Sequence, residues 1–354
     1  MKIKQAIKKV VSFKDLTEKE TISVFNDIMN GKCSSSQVAA LITALRMKGE
    51  TVKEITGAAK VMRGKALKIK LKDEKTVVDT CGTGGSGINT FNVSTASAFV
   101  LAGCGIKIAK HGNRSVSNSC GSADVLEALG VNINISNKRS AESIKRLNIG
   151  FLFAPLYHGA MKYAVTPRKE TGIRTIFNVL GPLSNPADAN VQVLGVYDEK
   201  LTEPIAKVLR NLGVKRAFVV HGKDGLDEIT INDRTRVCEV KNNKIVSYDV
   251  TPAMFGVKKT LLKAIKGGTA KINARIVRDV LSGSKGPKRD IVLMNSSAAL
   301  VASGKAKTFR DGMRIAGESI DSGRALEVLI KFIEFTNTGS GVRGSGTVNK
   351  RKKK

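Results

Sequence analysis

The chain has 354 residues, 42% of them apolar, enough to bury a sizeable core in one or two domains. No early segment joins a basic start to a long apolar run and a small-residue cleavage site, and the longest apolar passage, residues 98–106, is too short for a bilayer; a soluble cytoplasmic protein with no membrane partner is expected. Lys and Arg number 60 against 30 Asp and Glu, a formal charge of +30, yet the cations are spread throughout and interleave with no aromatics (no Trp, four Tyr), so no specific nucleic-acid partner is expected.

In chain order, three capping boxes come first: Thr17 with Glu20, Ser34 with Gln37, and Thr51 with Glu54. In each, the hydroxyl and the acid or amide three residues on satisfy one another's free backbone N–H, which starts a helix. Gly31 and Gly49 mark the ends of the first two, so residues 1–72 read as a small helical domain. "TVVDT" (76–80) then reads as a strand, "STASAFVLAG" as a helix, "IKIA" (106–109) as a strand and "SADVLEALG" as a helix, the alternation of an α/β sheet. Strands continue at 149–155, 190–198 and 216–222, with a helix near 200–212. Residues 157–186 have a helical pattern with prolines as breaks, and are predicted to pack back on the N-terminal helices. "TRVCEVKNNKIVSYDV" reads as a hairpin about Asn242 and Asn243, and helices dominate from about 258 to 335. The larger α/β domain thus spans 73–336, and 337–354, rich in Gly, Ser and Thr and ending "KRKKK", reads as a disordered basic tail with weak affinity for polyanions. Cys33, Cys81, Cys104, Cys120 and Cys238 include no C-x-x-C pair, so neither a disulfide framework nor a zinc site is suggested.

The chemistry centres on "DTCGTGGSGINTFNVSTASAF" (79–99), where Gly82, Gly84 and Gly87 match G-x-G-x-x-G between strand and helix. A dinucleotide site also needs an acid about 20 residues on for the ribose hydroxyls. Lys107 and Lys110 stand there instead, and no Asp or Glu lies between Asp79 and Asp124. A nucleoside-triphosphate loop fails too, because Ile88 and Asn89 follow Gly87. Anion binding remains: glycines let backbone N–H groups converge, and Asn89, Thr90, Asn92, Ser94 and Thr95 crowd the start of the next helix. The second connection, "KHGNRSVSNSCGSAD", repeats the device with Lys110, Arg114, Ser115, Ser117 and Ser122. Capping and turning explain either loop alone equally well; the pair together implies a ligand with several phosphates. In "HGKDGLDEIT" (221–230), Asp224, Asp227 and Glu228 beside such a site suit Mg²⁺ shared with phosphate oxygens.

On "GTGGSGINTFNVSTA" (82–96), "KHGNRSVS" (110–117), "GSADVLEALG" (121–130), "FAPLYHGAMK" (153–162), "RKETGIRTIFNVLGPLSNP" (168–186) and "DGLDE" (224–228), the chain resembles the anthranilate phosphoribosyltransferases over nearly its whole length. The resemblance implies a small N-terminal helical domain plus a larger α/β domain with a central, mostly parallel sheet, the fold shared with nucleoside phosphorylases, usually as a homodimer through the helical part. It implies transfer of a phosphoribosyl group from 5-phosphoribosyl 1-pyrophosphate (PRPP) to anthranilate, with Mg²⁺. Position by position, it assigns PRPP to Gly82, Gly85, Ser86, Thr90, Asn92, Val93, Ser94 and Thr95, with Lys110, His111, Gly112, Asn113, Arg114, Ser115, Val116, Ser117, Asn118 and Ser122 completing that site. Ser94, Asp227 and Glu228 become the metal ligands; Gly82, Asn113 and Arg168 meet anthranilate, Arg168 taking its carboxylate; His111, His158 and Arg174 line the approach. Lys110, Asn113 and Arg168 are the expected catalytic residues, with no indispensable general base, since an aromatic amine already carries its lone pair at neutral pH. A packed or capping role for the two histidines stands equally open. Ser86 departs from a common Asp, Asn118 from Ser and Gly159 from Pro, which leaves acceptor choice less determined than reaction type. The alternatives are a pyrimidine nucleoside phosphorylase, which would use inorganic phosphate, and a nucleic-acid-binding protein held by its lysines.

Overall fold

A computed structural model describes residues 1–71, 74–85, 87–115 and 120–338. Among the described residues, the chain opens with four helices, α1 (Ile3–Val11), α2 (Glu18–Met29), α3 (Ser35–Lys48) and α4 (Val52–Lys65). The last three begin at the three capping boxes, each with both reciprocal bonds made. Helix α1 starts after Lys2, whose side chain brings no cap but whose N–H donates to Gln5 Oε1 (3.0 Å), half of a capping box. Gly49 caps α3 at φ +88 and Gly31 follows α2 at φ +72, left-handed positions that glycine takes without strain. Glu54 does more than cap: fully buried, it also accepts from the Leu16 N–H (2.9 Å) and from Lys48 Nζ (3.0 Å), tying the heads of α2 and α4 to the end of α3.

The sheet comprises β1 (Val78–Gly82), β2 (Ile108–Gly112), β3 (Ile149–Phe153), β4 (Val191–Gly195), β5 (Arg216–Gly222), β6 (Thr235–Lys241) and β7 (Lys244–Val250), in the order β3-β2-β1-β4-β5-β6-β7. The first five are parallel and β6–β7 form an antiparallel edge hairpin. Lys241 pairs with Lys244, leaving a two-residue turn with Asn242 (φ +49) and Asn243 (φ +60) both left-handed, as a type I′ turn demands. Strands β1 and β2 run two or three residues further than their apolar pattern, into Gly82 and Gly112. The ladder continues through glycine although glycine has no strand propensity of its own.

Helices α5 (Val93–Gly103), α6 (Ser122–Ala128), α7 (Asn137–Leu147), α8 (Ala154–Tyr157), α9 (Lys162–Thr171), α10 (Phe177–Leu183) and α11 (Thr202–Asn211) link the strands. Helices α12 (Ala270–Leu281), α13 (Pro287–Ala302), α14 (Phe309–Asp321) and α15 (Arg324–Asn337) follow the sheet. The prolines of 157–186 do not all break helices: Pro167 lies inside α9 and Pro182 inside α10, where the missing N–H removes one bond without ending the short helix. Asn337, predicted in the tail, ends α15 instead, its side chain donating to the Gly130 carbonyl; residues 339–354 lie outside the described residues.

Alternate strand residues separate the two larger of three cores, the smallest gathering Ala109 and Leu152 with Tyr157, as the period of two dictates. Val191, Val193, Phe218 and Val220 face α5, α6 and α12–α15, whereas Leu194, Ala217 and Val219 face α1–α4, α10 and α11. The apolar interior of the N-terminal helices is therefore continuous with one face of the sheet, and α9 and α10 pack against α2–α4. Among the described residues no helix is long and apolar enough to cross a membrane.

Candidate active site

Strands β1 and β4 are neighbours, but the chain leaves β1 toward β2 and β4 toward β5. Their carboxyl ends therefore open a crevice at the point where the strand order reverses. Gly82 and Gly195 pair across this point. Asp227, from the loop after β5, lies over both: a Cβ on Gly195 would stand 1.7 Å from the Asp227 carbonyl oxygen, and one on Gly82 would stand 3.2 Å from its Oδ2. Two glycines thus bring the acidic loop onto the glycine loop. The motifs of the chain did not single out Gly195; its signal is a glycine ending an otherwise apolar strand.

The two predicted anion loops face each other. Lys110 is buried on β2, and its Nζ donates to the Thr80 carbonyl of β1 (2.5 Å) and to Ser94 Oγ at the head of α5 (3.2 Å). Asn92 Nδ2 donates to the Cys120 carbonyl (2.9 Å) and its Oδ1 accepts from Asn273 (3.0 Å), lacing the β1–α5 loop to the β2–α6 loop and to α12. Because Asn92 is so engaged, α5 begins without a side-chain cap. The Ser94 N–H instead favours the charged form of Glu228, which puts a carboxyl near that helix N-terminus. Burial, with Asp227 alongside, pushes Glu228 up to about 8, against the pull of Lys110. Two adjacent carboxyls and one hydroxyl form a small, hard oxygen set. It suits Mg²⁺ completed by water and phosphate rather than a protein cage. Among the described residues no group of three His, Cys, Asp or Glu gathers as a metal site. Asp224 takes no part in the pair, because Thr230 Oγ1 (2.6 Å) and Asn232 Nδ2 (3.2 Å) engage its carboxylate within its own turn.

The other predicted residues divide. Gly85 (φ +78) offers its carbonyl to Arg174, whose guanidinium lies 4.3 Å from the Tyr197 ring centroid, so Arg174 reaches the glycine loop itself. Thr90 bridges to Lys266, while Val93 and Thr95 are buried in α5. The Asn113 carbonyl accepts from Ala123 N (3.2 Å) and Ser122 Oγ (3.3 Å), which closes the second loop onto α6; Gly112 beside it has no room for a Cβ, which would stand 2.2 Å from Ser122 Oγ. The Ser115 N–H goes to Asp124 Oδ2 (3.2 Å). Arg114 turns its guanidinium onto α6, bonding Glu127 (2.5 and 2.8 Å) and Asp124 (3.0 Å), so its charge is shared with two acids that sequence alone did not pair with it. Ser86, Val116, Ser117 and Asn118 lie outside the described residues.

On the acceptor side, Arg168 stands on α9 with its guanidinium 5.4 Å from the Phe177 ring centroid, partly buried, and forms no ion pair among the described residues. Burial draws its pKa down, so an incoming carboxylate would compensate a real desolvation cost. His111 and His158 pack ring to ring at 5.0 Å, and His111 Nδ1 lies 3.0 Å from the Gly181 carbonyl of α10. Burial drives His111 down to about 3 and His158 to about 4, so both are neutral at pH 7. The unfolded chain binds these protons below about pH 6.5, whereas the folded chain refuses them until near pH 4 and 3. The pair's contribution is therefore intact above pH 6.5 and is lost as pH falls. By pH 5 this should cost about 2 kcal/mol per histidine, a slope that His111→Gln with His158→Gln flattens in urea titrations at pH 7 and 5.

The chain matches the models of a glycosyl transferase family in two parts, the helical bundle domain over residues 4–66 and the a/b domain over residues 74–326. Fold and crevice thus define a two-part glycosyl transferase. An anthranilate phosphoribosyltransferase of Geobacter sulfurreducens is 55% identical over 95% of this chain and 99% of its own length, and one of Acetivibrio thermocellus is 53% identical over 95% and 97%. The anthranilate phosphoribosyltransferase structure from Thermus thermophilus superposes with a TM-score of 0.89 at 40% identity, covering 94% of this chain and 99% of that one. The Saccharomyces cerevisiae enzyme in complex with PRPP and Mg gives 0.86 at 31%, covering 94% and 97%. The chain belongs to the anthranilate phosphoribosyltransferase family.

Proposed function

We propose that this chain transfers the phosphoribosyl group of PRPP to the amine of anthranilate, giving N-(5-phosphoribosyl)anthranilate and pyrophosphate in tryptophan biosynthesis. The observation that carries the reading is the convergence of Lys110, Ser94 and Glu228 at the head of α5, with Asp227 over the glycine loop. The yeast relative bound to PRPP and Mg, and another yeast structure bound to 4-fluoroanthranilate, support the same substrates here.

The chemistry follows from charge. As the C1–oxygen bond of PRPP breaks, its electron pair leaves with pyrophosphate and the ribose ring gains positive character. The amine nitrogen then forms the new bond to C1 and releases a proton to solvent. Lys110 is fixed by two acceptors, which leaves one ammonium N–H for a leaving oxygen. Mg²⁺ held by Ser94, Asp227 and Glu228 supplies further positive charge to the pyrophosphate. Arg168 orients anthranilate through its carboxylate, and the two neutral histidines shape the apolar wall without adding charge.

Purified protein mixed with anthranilate, PRPP and Mg²⁺ should consume anthranilate, followed by loss of its fluorescence. Arg168→Ala should raise the KM for anthranilate about tenfold to a hundredfold, the worth of one charged hydrogen bond, with the KM for PRPP nearly unchanged. Phosphate-dependent cleavage of thymidine in place of this activity would transfer the reading to the phosphorylases.

We also assign a homodimer and a cytoplasmic setting. The helical end exposes Val11, Phe13 and Met47 around an apolar hollow of about 380 Å³, a face suited to contact with a second copy. All five cysteines are free thiols, as a reducing compartment keeps them. Phe13→Asp with Met47→Asp should yield a monomer in sedimentation, while the parent chain sediments as a dimer.

A further inference from the structure

Strands β1 and β2 pair at Val78 and Ile108, and that register places Thr80 opposite Lys110. Continued as a parallel ladder, it would give the His111 N–H to the Thr80 carbonyl and the Thr80 N–H to the Ala109 carbonyl. Neither bond forms. Asp79 Oδ1 accepts the His111 N–H (3.2 Å), Asn185 Nδ2 donates to the Ala109 carbonyl (2.8 Å), and the vacated Thr80 carbonyl takes Lys110 Nζ (2.5 Å). Asp79 and Asn185 are both fully buried and bond each other, Nδ2 to Oδ2 at 2.8 Å, while Asn185 Oδ1 accepts the Ala187 N–H (2.9 Å).

We infer that Asp79 and Asn185 form a wedge that parts β1 from β2 and so holds the Lys110 ammonium at the phosphate end of the crevice; they are positioning residues for phosphoribosyl transfer. A buried carboxylate beneath an anion site opposes binding on its own. It becomes useful by compensating the Lys110 charge in the core and by occupying the strand N–H that would otherwise compete for the Thr80 carbonyl. Asn185 makes this possible, because one amide reaches the carboxylate, the β2 carbonyl and its own turn together. The inference rests on the reading of Lys110 as a pyrophosphate ligand, and the two can fail separately.

The test is a double-mutant cycle on the full-length protein, with Asp79→Asn, Lys110→Met and the double variant. Its readouts are kcat/KM for PRPP, KM for anthranilate, and calorimetric affinity for pyrophosphate with Mg²⁺. Asp79→Asn should lower kcat/KM for PRPP and pyrophosphate affinity about tenfold or more, leave the anthranilate KM within about twofold, and cost less than about threefold once Lys110 is Met. Asn185→Ser should repeat this pattern. Equal losses in both Lys110 backgrounds, equal losses for both substrates, or no loss would each overturn the wedge, and so would failure of both Asp79→Asn and Asn185→Ser to fold, which would leave a purely structural role. Unchanged PRPP kinetics in Lys110→Met alone would instead remove the underlying reading of Lys110.

Discussion

Asp227→Asn combined with Glu228→Gln is expected to lower kcat/KM for PRPP by about 10³-fold or more while the protein stays folded. The size follows from the charge that develops on the leaving group. Removing one preorganised group that meets such charge costs about 10²–10³, and here two carboxylates that recruit a divalent ion go together. Folding survives because the amides keep shape and acceptors. A Gln there keeps an acceptor oxygen for the nearby Ser94 N–H, and Glu228, pushed up to about 8, is largely uncharged at neutral pH before any cation arrives. Activity measured against Mg²⁺ concentration checks it: the parent should saturate and lose activity to a chelator, whereas the double variant should stay low throughout. Parent-like saturation in the variant would show that the carboxylates play no part in holding the ion.

Gly195→Ala should cost at least about 10²-fold in kcat/KM and roughly 1–3 kcal/mol of stability, although residue 195 brings no chemistry of its own. Its Cβ would stand 1.7 Å from the Asp227 carbonyl oxygen and 2.6 Å from the carbonyl carbon, and backbone cannot turn aside as a side chain can. The acidic loop must lift, carrying Asp227 and Glu228 away from Ser94. Gly159→Ala is the contrast: nothing lies within 4 Å of its Cβ and its φ is not left-handed, so stability should rise by about 0.4–1 kcal/mol through a stiffer unfolded chain. Thermal unfolding and initial rates on both variants separate the outcomes. A Gly195→Ala protein with parent-like activity would mean that the loop's seat on β4 does not set the metal site.

Some of the site was legible in the chain itself. The glycine loop, the two cations of the second loop and the acidic turn are contiguous in sequence, and the residues that make an anion cradle must lie on one loop for their N–H groups to converge. What could not be read was how these pieces share partners. Charge and the family resemblance both point Arg114 at phosphate, and neither signals that two acids of α6 share it. Asp224 resembles its neighbours in the acidic turn, but Thr230 and Asn232 engage it locally. Asp79 and Asn185 sit 106 positions apart, and nothing in either neighbourhood signals that they meet.

Elements governed by short-range rules are written in the order of residues alone. Capping boxes act over three residues, a two-residue Asn-Asn turn joins its own strands, and apolar alternation marks each strand's faces, so α2–α4, the hairpin and the strands follow from neighbours along the chain. Strand order is different, and with it the crevice between β1 and β4, the seat of Asp227 on Gly195 and the parting of β1 from β2 around Lys110: these arise from the assembled fold. Local propensity is blind to them because burial and hydrogen-bond competition among distant groups set them, and those energies exist only once the sheet has assembled.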